Sequence, residues 1–449
     1  MSTLRICEAN PRYFAGADGK AILLTGIHTW NNLIDMGNKG AVVPFDWTAY
    51  LDMLKGLHLN FVRLWAFSSL ATWNPKDEVL TIPWKRTGPG LAADGKPKLD
   101  FNTFDQAYFD RLHERLLAAS KRGVYVSVML FENWTSFRLN EAPISHHMFA
   151  GQNNINGIDI EPSEKHGSFA GWSMMGDPAV LAVQKAYIRK VVETVSDLDN
   201  VLFEICNEGG AQSQGWQEHL TAYIRALEAG SARQHPIGQT GGMGTSNRVM
   251  HLSSADWVSP DGGPSEGHAH GYRTGHFTFG NGPFETGDKP IVLDTDHLWG
   301  LGGNWAWAWK SLCRGYNAIY MDPWTDQPSS YWEHPRWMED SDLDLRRELG
   351  NALRFSERLD LTASMPLNDV ASSGYCIGVP GRQYLAFEPT SIPFTLSLPA
   401  GEWCLTWHDP ANGTTFDPIP FLVPGEGSWE LTSPHGGPAV VLAELQTPS

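Results

Sequence analysis

The chain has 449 residues, 42% of them hydrophobic, and its 50 acidic and 33 basic residues give a formal net charge of −17. This excess of negative charge repels phosphate backbones and anionic membrane surfaces, so we expect neither a nucleic acid nor a membrane as a partner. No apolar run approaches the ~20 residues that a membrane-spanning helix needs. The length suits one large domain with a smaller module beside it.

The N-terminal segment and the cysteines bear on the compartment. The opening MSTLRICEANPRYF lacks the basic stretch followed by an apolar stretch that marks a secretory signal, although a secreted chain trimmed of its signal would look similar. The five cysteines are odd in number and scattered without CxxC spacing, which favours buried free thiols in a reducing compartment. The sequence therefore predicts a cytoplasmic protein.

Short apolar segments alternate with helical patterns through about the first 350 residues, which is typical of a parallel α/β fold. We identify eight candidate strands, at 22–27, 60–67, 124–131, 201–206, 236–240, 256–260, 290–296 and 316–322. Eight strands with intervening helices predict a (β/α)₈ TIM barrel over residues 1–360. The segments after the second, third and sixth strands are longer than ordinary connections, which indicates a functional role for them.

Helices are predicted between these strands from apolar residues at helical spacing. Such spacing occurs at 47–57, at 104–123 with a terminal glycine, and around 220–227. Asp177-Pro178 provides a favoured cap and first-turn residue for another helix. The segment NWAWAWK at 304–310 alternates Trp with Ala, and we expect a barrel helix whose tryptophans pack in the core.

From about residue 362 the sequence changes character. Short alternating runs such as GYCIGVPGRQYLAFEP and GPAVVLAEL are separated by Gly, Pro and Asn and show little helical periodicity. This pattern predicts an antiparallel β-sandwich over residues 361–449.

The C-terminal ends of the strands in a parallel barrel converge on one face, which carries the active site. The polar and aromatic residues at the predicted strand ends are His28 and Trp30, Arg63 and Trp65, Glu132, Asn207 and Glu208, Asp294 and Asp296, and Asp322 and Trp324. Several carboxylates beside aromatic rings and an arginine are what acid-catalysed acetal cleavage needs, since one carboxyl protonates the leaving oxygen and another stabilises or attacks the anomeric carbon. The sequence therefore predicts a carbohydrate substrate and no cofactor.

Further residues are predicted to bind the sugar. Several tryptophans lie in Gly/Pro-rich segments that are predicted as loops, where their faces could stack on sugar C–H groups. These loop tryptophans are Trp73, Trp84, Trp134, Trp299 and Trp324. We expect His268 and His270, in the Gly-rich segment SEGHAHGYRTGH, and His297 to hydrogen-bond sugar hydroxyls. Cys206, beside the Asn-Glu pair, is expected to be a small buried residue rather than a nucleophile.

Three segments resemble known glycoside hydrolases. VLFEICNE, at 201–208, resembles the Asn-Glu signature on the fourth strand of clan A enzymes, which are retaining hydrolases on (β/α)₈ barrels. GLHLNFVRLW is similar to their second strand, whose arginine supports the nucleophile, a role that would fall on Arg63. The opening NPRYFAGADGKAILLTGIHTWNNLID and the closing PAGEWCLTWHDPANG resemble a subgroup with a C-terminal sandwich of collagen-binding type, which includes pectin apiosidases.

The resemblance implies that Glu208 is the general acid/base and that Asn207 binds a sugar hydroxyl. Burial at the strand end is expected to keep Glu208 protonated at working pH. Clan A enzymes place a glutamate at the end of the seventh strand as nucleophile, whereas PIVLDTDHLWG offers Asp294 and Asp296. Strand alternation would put both aspartates on one face. We expect Asp296 to be the nucleophile of a retaining mechanism and Asp294 a supporting acceptor.

Several alternatives stay open. Both aspartates could be structural, with Glu266 or Glu285 as the nucleophile. The shorter Asp side chain could also widen the gap between the two carboxyl groups towards the inverting range. A metal-dependent hydrolase using His268 and His270 is a second class, and a glycan-binding protein without catalysis is a third. The sequence does not identify the sugar, the linkage or the oligomeric state.

Overall fold

The computed structural model describes residues 1–71, 77–133, 144–160, 171–173, 175–242, 244–261, 283, 285–298, 304–322, 324, 340–390 and 393–446. Its central feature is a sheet of eight parallel strands. These barrel strands are β1 (Gly26–His28), β2 (Phe61–Leu64), β3 (Tyr125–Glu132), β4 (Val201–Asn207), β5 (Ile237–Thr240), β6 (Trp257–Ser259), β7 (Val292–Asp294) and β8 (Asn317–Met321). They pair in the order β6-β5-β4-β3-β2-β1-β8-β7, and a bridge between Val258 and Ile291 joins the two outer strands. The predicted (β/α)₈ barrel is confirmed.

The helices follow the barrel strands in the expected alternation. They are α1 (Trp47–Gly56), α2 (Gln106–Ser120), α3 (Pro178–Val195), α4 (Gln214–Glu228), α5 (Asn247–His251), α6 (Thr295–Leu298), α7 (Trp305–Cys313) and α8 (Asp340–Ser356). The cap predicted for α3 is confirmed, because the Asp177 side chain accepts hydrogen bonds from the first free backbone N–H groups of the helix. On α7, Trp307 and Trp309 are buried in the core.

Two predicted strand boundaries are wrong. Residues 21 and 22 belong to a small antiparallel sheet with Arg5–Ile6 and Phe14–Ala15, so the first barrel strand is shorter than expected and begins at Gly26. A side chain at Gly26 would lie 1.8 Å from the Phe61 carbonyl oxygen, so glycine allows this close strand pairing. The seventh strand ends at Asp294 and the chain turns directly into α6, so Asp296 is helical and the alternation argument does not apply to it.

The barrel interior changes from apolar to polar along the strands. Its N-terminal end is filled by Leu4, Phe14, Leu24, Phe61, Tyr125, Leu202, Trp257, Val292 and Ile319. Two residues further along β2, β4 and β7 come Arg63, Glu204 and Asp294, all buried. Because side chains two residues apart on a strand share a face, these three charged groups point into the same interior.

The C-terminal module consists of antiparallel strands, as predicted. Its strands are Met365–Pro366, Cys376–Val379, Gln383–Glu388, Phe394–Leu398, Gly401–Asp409, Thr414–Thr415, Ile419–Val423, Gly427–Leu431 and Ala439–Leu445. They form a seven-stranded sheet and a two-stranded sheet around an apolar core of their own. A second apolar cluster joins α7 and α8 to the inner strands of this module, including Trp309, Ile377 and Phe387. The barrel and the sandwich therefore share a hydrophobic interface.

The cysteines and helices can be compared with the expectations from composition. All five cysteines are free thiols, four of them buried and Cys404 partly buried. Among the helices that the structure describes, none combines the length and the apolar composition of a membrane span.

Candidate active site

Arg63 on β2 is the centre of a buried ionic network at the C-terminal end of the barrel. Its guanidinium binds Glu204 on β4 through two hydrogen bonds, of 2.7 and 2.5 Å, and donates to Asn207 Oδ1 at 2.6 Å. The remaining nitrogen, Nη1, lies 3.2 Å from one oxygen of Asp294 and 3.2 Å from one oxygen of Asp296. Burial lowers the pKa of Arg63, but the charge of Glu204 and then those of the two aspartates outweigh this effect and raise it above its ordinary value. Arg63 is therefore a permanent cation shared by three carboxylates.

Asp294 ends β7 and is enclosed by hydrogen-bond donors. His28 Nε2 lies 2.9 Å from Oδ1, the Asp296 backbone N–H donates to the same oxygen at 2.9 Å, and Arg63 binds Oδ2. Trp65 Nε1 lies 2.7 Å from the other ring nitrogen of His28. Burial raises the pKa of Asp294, but the interactions with His28 and then Arg63 outweigh burial and lower it below the ordinary aspartate value. Asp294 is therefore ionised.

Asp296 lies in the first turn of α6, more open than Asp294. Its side chain is 10% exposed, against 2% for that of Asp294. Burial, and next the negative charge of Asp294, raise the pKa of Asp296 to about 6, against which Arg63 acts in the opposite direction. The two aspartates have pKa values displaced in opposite directions, which is typical of carboxyl groups with different roles in one site.

His297 connects the seventh-strand region to β4 and β6. Its Nδ1 lies 2.9 Å from Ser259 Oγ, and its Nε2 lies 2.9 Å from Asn207 Oδ1 and 3.6 Å from Asp296 Oδ2. Burial lowers the pKa of His297 to about 3, so the imidazole is neutral. Since Asn207 Oδ1 can only accept, Nε2 carries the proton and Nδ1 accepts from the Ser259 hydroxyl.

Asn207 and Glu208 stand where β4 ends. The amide nitrogen of Asn207, Nδ2, is buried and has no hydrogen-bond partner among the described residues, while Oδ1 accepts from Arg63 and His297. Glu208 is half-buried and has a φ of 49°, a left-handed conformation that is uncommon outside glycine. Gly242, after β5, packs against it so closely that a Cβ there would lie 2.6 Å from the Glu208 Cγ. The loop after β5 thus fixes the position of the Glu208 side chain.

Other predicted residues lie around this network. Glu132 ends β3, is buried, and accepts a hydrogen bond of 3.3 Å from the Ser68 backbone N–H. Trp30 is half-buried, with its ring in edge contact with Trp65 at 6.0 Å. The Trp65 ring also lies nearly parallel to that of His28, and its centroid is 4.9 Å from the Arg63 guanidinium carbon. Trp65 is therefore part of the buried network, whereas Trp30 is placed at its edge.

Two tryptophans expected in sugar-binding loops belong to the core instead. Trp324 is fully buried and packs against Phe45 and Tyr50, with ring centroids 4.7 and 4.9 Å apart. Trp84 begins a strand of a hairpin, Trp84–Leu91 with Pro97–Phe104, and is buried against Phe101. The nearby Gly and Pro residues marked turns, but they gave no information on the burial of these rings.

Several predicted residues lie outside the part of the chain that the structure describes: Trp73, Trp134, His268, His270, Trp299 and the alternative nucleophile Glu266. The other alternative, Glu285, forms an ion pair with Arg12. The Arg12 carbonyl accepts a hydrogen bond from Asn317 at the start of β8, which places Glu285 at the opposite end of the barrel from Glu208.

Ligand atoms of Asp294, Asp296 and His297 lie within 4.8 Å of one another, a spacing at which three such groups can hold a metal ion. Arg63 Nη1 binds both carboxylates, so a permanent positive charge already lies between them. His297 Nε2 carries a proton for Asn207. These three residues therefore do not fit a cation, and an arginine-bound carboxylate pair describes them better.

Sequence reasoning missed Glu204 and Ser259. Glu204 makes the shortest contact of Arg63, and the Ser259 hydroxyl donates to Nδ1 of His297. The sequence did contain a signal for Glu204, which is the one acid inside the apolar run VLFEIC. An acid in such a strand is buried and needs a cationic partner. No such signal existed for Ser259, because a serine at a strand end has many uses.

No family model matches the chain, and no curated protein sequence matches it. Among solved structures, one titled "Glycoside hydrolase" superposes with a TM-score of 0.61 at 13% identity, covering 100% of this chain and 98% of its own. A family 5 glycoside hydrolase from Bacteroides vulgatus gives 0.58 at 13% identity, with 98% and 93% covered. An endo-1,4-β-mannanase from Rhizomucor miehei gives 0.51 at 13% identity, with 80% and 100% covered. At these identities the likeness establishes the fold, a TIM barrel with an added β-sandwich.

Proposed function

We propose that this protein is a glycosidase that cleaves a short oligosaccharide or glycoside with two carboxyl groups, Glu208 and Asp296. The observation that carries the proposal is the shared guanidinium. Arg63 binds Asp296 through Nη1 and Asn207, the neighbour of Glu208, through Nη2. One buried cation thus ties the end of β4 to the turn after β7, the two places at which the clan A enzymes that the sequence resembles carry their acid and their nucleophile.

Glu208 serves as general acid and then as general base. It is half-buried at the mouth of the barrel, and its backbone conformation and the contact with Gly242 restrict the directions that its side chain can take. A positioned carboxylic acid protonates the departing glycosidic oxygen, which removes the need to expel an alkoxide. The same group then takes a proton from the attacking water.

Asp296, rather than Asp294, serves as the nucleophile. Both oxygens of Asp294 are occupied by three donors, from His28, Arg63 and the Asp296 backbone. Asp296 has one oxygen on Arg63 and is the more exposed of the pair. An attacking oxygen needs a free lone pair directed towards the substrate, and this requirement favours Asp296.

Asn207 supplies a donor to the sugar. Its Nδ2 is buried with no partner in the described part of the chain, and a buried N–H group without a partner is costly unless a ligand satisfies it. A hydroxyl group of the bound sugar would accept this hydrogen bond. Trp30, at the edge of the network, offers an aromatic surface to the same ligand.

The finer assignment, a retaining enzyme of the apiosidase-like subgroup whose sandwich is of collagen-binding type, is also part of the proposal. It is supported by the two terminal segments quoted above and by the presence of the C-terminal sandwich. We therefore include pentofuranosides among the candidate substrates.

A screen of aryl glycosides that includes pentofuranosides, followed by a comparison of variants, tests the proposal. Glu208→Gln should abolish cleavage of poor leaving groups while the first, glycosylating step with an activated aryl group is largely spared, because an activated phenolate departs without a proton. Glu285→Gln is the matched control, since it removes a carboxylate at the opposite end of the barrel. If burst-phase kinetics show that Glu208→Gln loses both classes of substrate equally, Glu208 is not the acid.

A further inference from the structure

The contact between Trp65 and His28 fixes a proton in the buried network. An indole nitrogen can only donate a hydrogen bond, and Trp65 Nε1 lies 2.7 Å from His28 Nδ1. Nδ1 must therefore be unprotonated, and the imidazole proton is on Nε2. That proton is directed at Asp294 Oδ1, 2.9 Å away.

The chain Trp65–His28–Asp294 ends beside the proposed nucleophile. Asp294 Oδ1, which receives the His28 proton donor, also accepts the backbone N–H of Asp296 at 2.9 Å. Asp294 Oδ2 is held by the same Arg63 nitrogen that holds Asp296. The orientation and charge of Asp294 therefore act directly on the position and environment of Asp296.

The contacts of Trp65, His28 and Asp294 are all buried. His28 is fully buried, the Trp65 and His28 rings are nearly parallel with centroids 5.8 Å apart, and the Arg63 guanidinium carbon lies over the Trp65 ring, 4.9 Å from its centroid. Among the described residues, the titratable and charged groups that act on the two aspartates are His28 from β1, Arg63 from β2 and His297 from α6, and Glu204 from β4 binds the same Arg63. Glu132, Glu208, Asp261 and Asp322 also lie at or just after described strand ends.

We propose that Trp65 and His28 are positioning residues, in which the indole N–H locks the Nε2–H tautomer of His28 so that His28 holds Asp294 as a fixed anion beside Asp296. The effect on Asp296 rests on the function proposed above, whereas the locked tautomer does not. A fixed negative charge beside Asp296 raises the energy of the ionised Asp296 carboxylate. Bond formation between Asp296 and the anomeric carbon disperses the charge of Asp296, so the fixed anion favours this step. The raised pKa of Asp296, which burial and next the charge of Asp294 cause, agrees with this arrangement.

The first experiment is nitrogen-15 NMR of histidine-labelled full-length protein at pH 7.5, with His28 assigned through its loss in His28→Asn. The wild type should show His28 with the proton on Nε2 alone. Trp65→Phe keeps a ring against His28 but removes the indole N–H. Nε2 should keep its proton in this variant because Asp294 still accepts it, whereas Nδ1 should take up a second proton when the pH is lowered to 5. Trp403→Phe is the control, because Trp403 is equally buried and donates its indole N–H to the Pro399 carbonyl in the sandwich, at 3.0 Å.

The second experiment measures the pH dependence of kcat/KM on an activated aryl glycoside. In Trp65→Phe, Nδ1 is free to accept a proton, and the resulting positive charge favours the ionised form of Asp296. The acidic limb should therefore move to lower pH by about one unit, a tenfold change in rate on that limb. Trp403→Phe should leave it in place.

The NMR experiment tests the locked tautomer of His28, and the kinetic experiment tests its effect on the proposed reaction. A proton on Nδ1 of His28 in the wild type overturns the locked tautomer, and this result needs no variant to fold. A Trp65→Phe protein whose His28 Nδ1 stays unprotonated at pH 5, as in the wild type, and whose acidic limb is unchanged shows that the indole controls neither. Absence of glycoside hydrolysis with the expected tautomers would refute the proposed function and leave the structural lock standing.

Discussion

The clearest prediction concerns the acidic limb of the pH–rate profile. Asp296 must be ionised to attack, and its pKa is raised to about 6 by burial and then by the charge of Asp294. A group that is active only when deprotonated loses activity as the pH falls through its pKa, so kcat/KM of the wild type should decline below about pH 6. Asp294→Asn removes the neighbouring charge while keeping the side-chain shape, and it should move this decline to lower pH.

The size of the shift follows from the geometry. One oxygen of each aspartate lies 3.2 Å from the same Arg63 nitrogen, so these two oxygens are no more than about 6 Å apart. At that distance and an effective dielectric constant of about 20, the repulsion is about 3 kcal/mol, which corresponds to about two pH units. Burial remains in the variant and Arg63 offsets part of the repulsion, so we expect a shift of about one to two units.

The assay is kcat/KM of an activated aryl glycoside between pH 4 and 8, because this substrate needs little help from Glu208. Asp294→Asn must be shown to be folded by circular dichroism and thermal unfolding, and Glu285→Gln serves as the carboxylate control. A wild-type limb near pH 4, or a limb that Asp294→Asn leaves unchanged, would show that the titrating group is not an Asp296 coupled to Asp294.

Three further predictions concern the loop after β5, the sandwich and acid stability. Gly242→Ala should lower kcat at least about tenfold, because its Cβ would lie 2.6 Å from Glu208, whereas Gly244→Ala, also at positive φ but in open space, should keep kcat in the same assay. His408→Ala should leave kcat within about tenfold of the wild-type value. It should reduce the free energy of unfolding in urea by roughly 3 kcal/mol, because it breaks a buried contact of 2.7 Å with Glu348 of α8. A larger loss of kcat in a folded variant would mean that the sandwich reaches the site. Burial lowers the pKa of His147 to about 3. Below pH 6.5 the unfolded chain therefore binds a proton at this position that the folded chain does not bind, and the free energy of unfolding decreases as the pH is lowered. His147→Gln should reduce the loss of unfolding free energy between pH 7 and pH 5 by about 2 kcal/mol, and an unchanged slope would contradict the assignment.

The shared core of barrel and sandwich changes how the non-catalytic alternative can be tested. A chain cut near residue 360 would lose Ile377 and Phe387, which pack in the same cluster as Trp309 of α7. Such a truncation would expose apolar surface of the barrel and could inactivate the protein for that reason alone. Point variants such as His408→Ala therefore discriminate better than removal of the module.

The sequence predicted the architecture well because parallel strands buried on both faces leave a strong apolar signal. All eight barrel strands were found near their observed positions, and the Asp177 cap of α3 was identified from its local chemistry. Apolar strand runs and helix caps depend on neighbouring residues in the sequence and not on the rest of the fold. They could therefore be predicted without knowledge of the tertiary structure.

The site was only partly predictable. Arg63 was placed correctly at a strand end, but its strongest partner, Glu204, lies inside an apolar run and becomes a partner only when β2 and β4 face each other across the barrel interior. Asp296 was placed by extending strand alternation past Asp294, where the chain in fact turns into α6. Trp324 was expected on a loop surface, and its burial depends on Phe45 and Tyr50 from a distant part of the chain. These outcomes depend on tertiary contacts that no local pattern encodes.

The central claim is that Asp296 attacks the sugar, and trapping tests it most directly. A fluorinated glycoside of a sugar that the enzyme accepts should form a stable glycosyl-enzyme, and peptide mapping by mass spectrometry should locate the label on Asp296, as a retaining mechanism requires. A label on Asp294, Glu266 or Glu285 would contradict the assignment of the nucleophile. A first-formed product of inverted anomeric configuration in proton NMR would contradict the retaining mechanism itself.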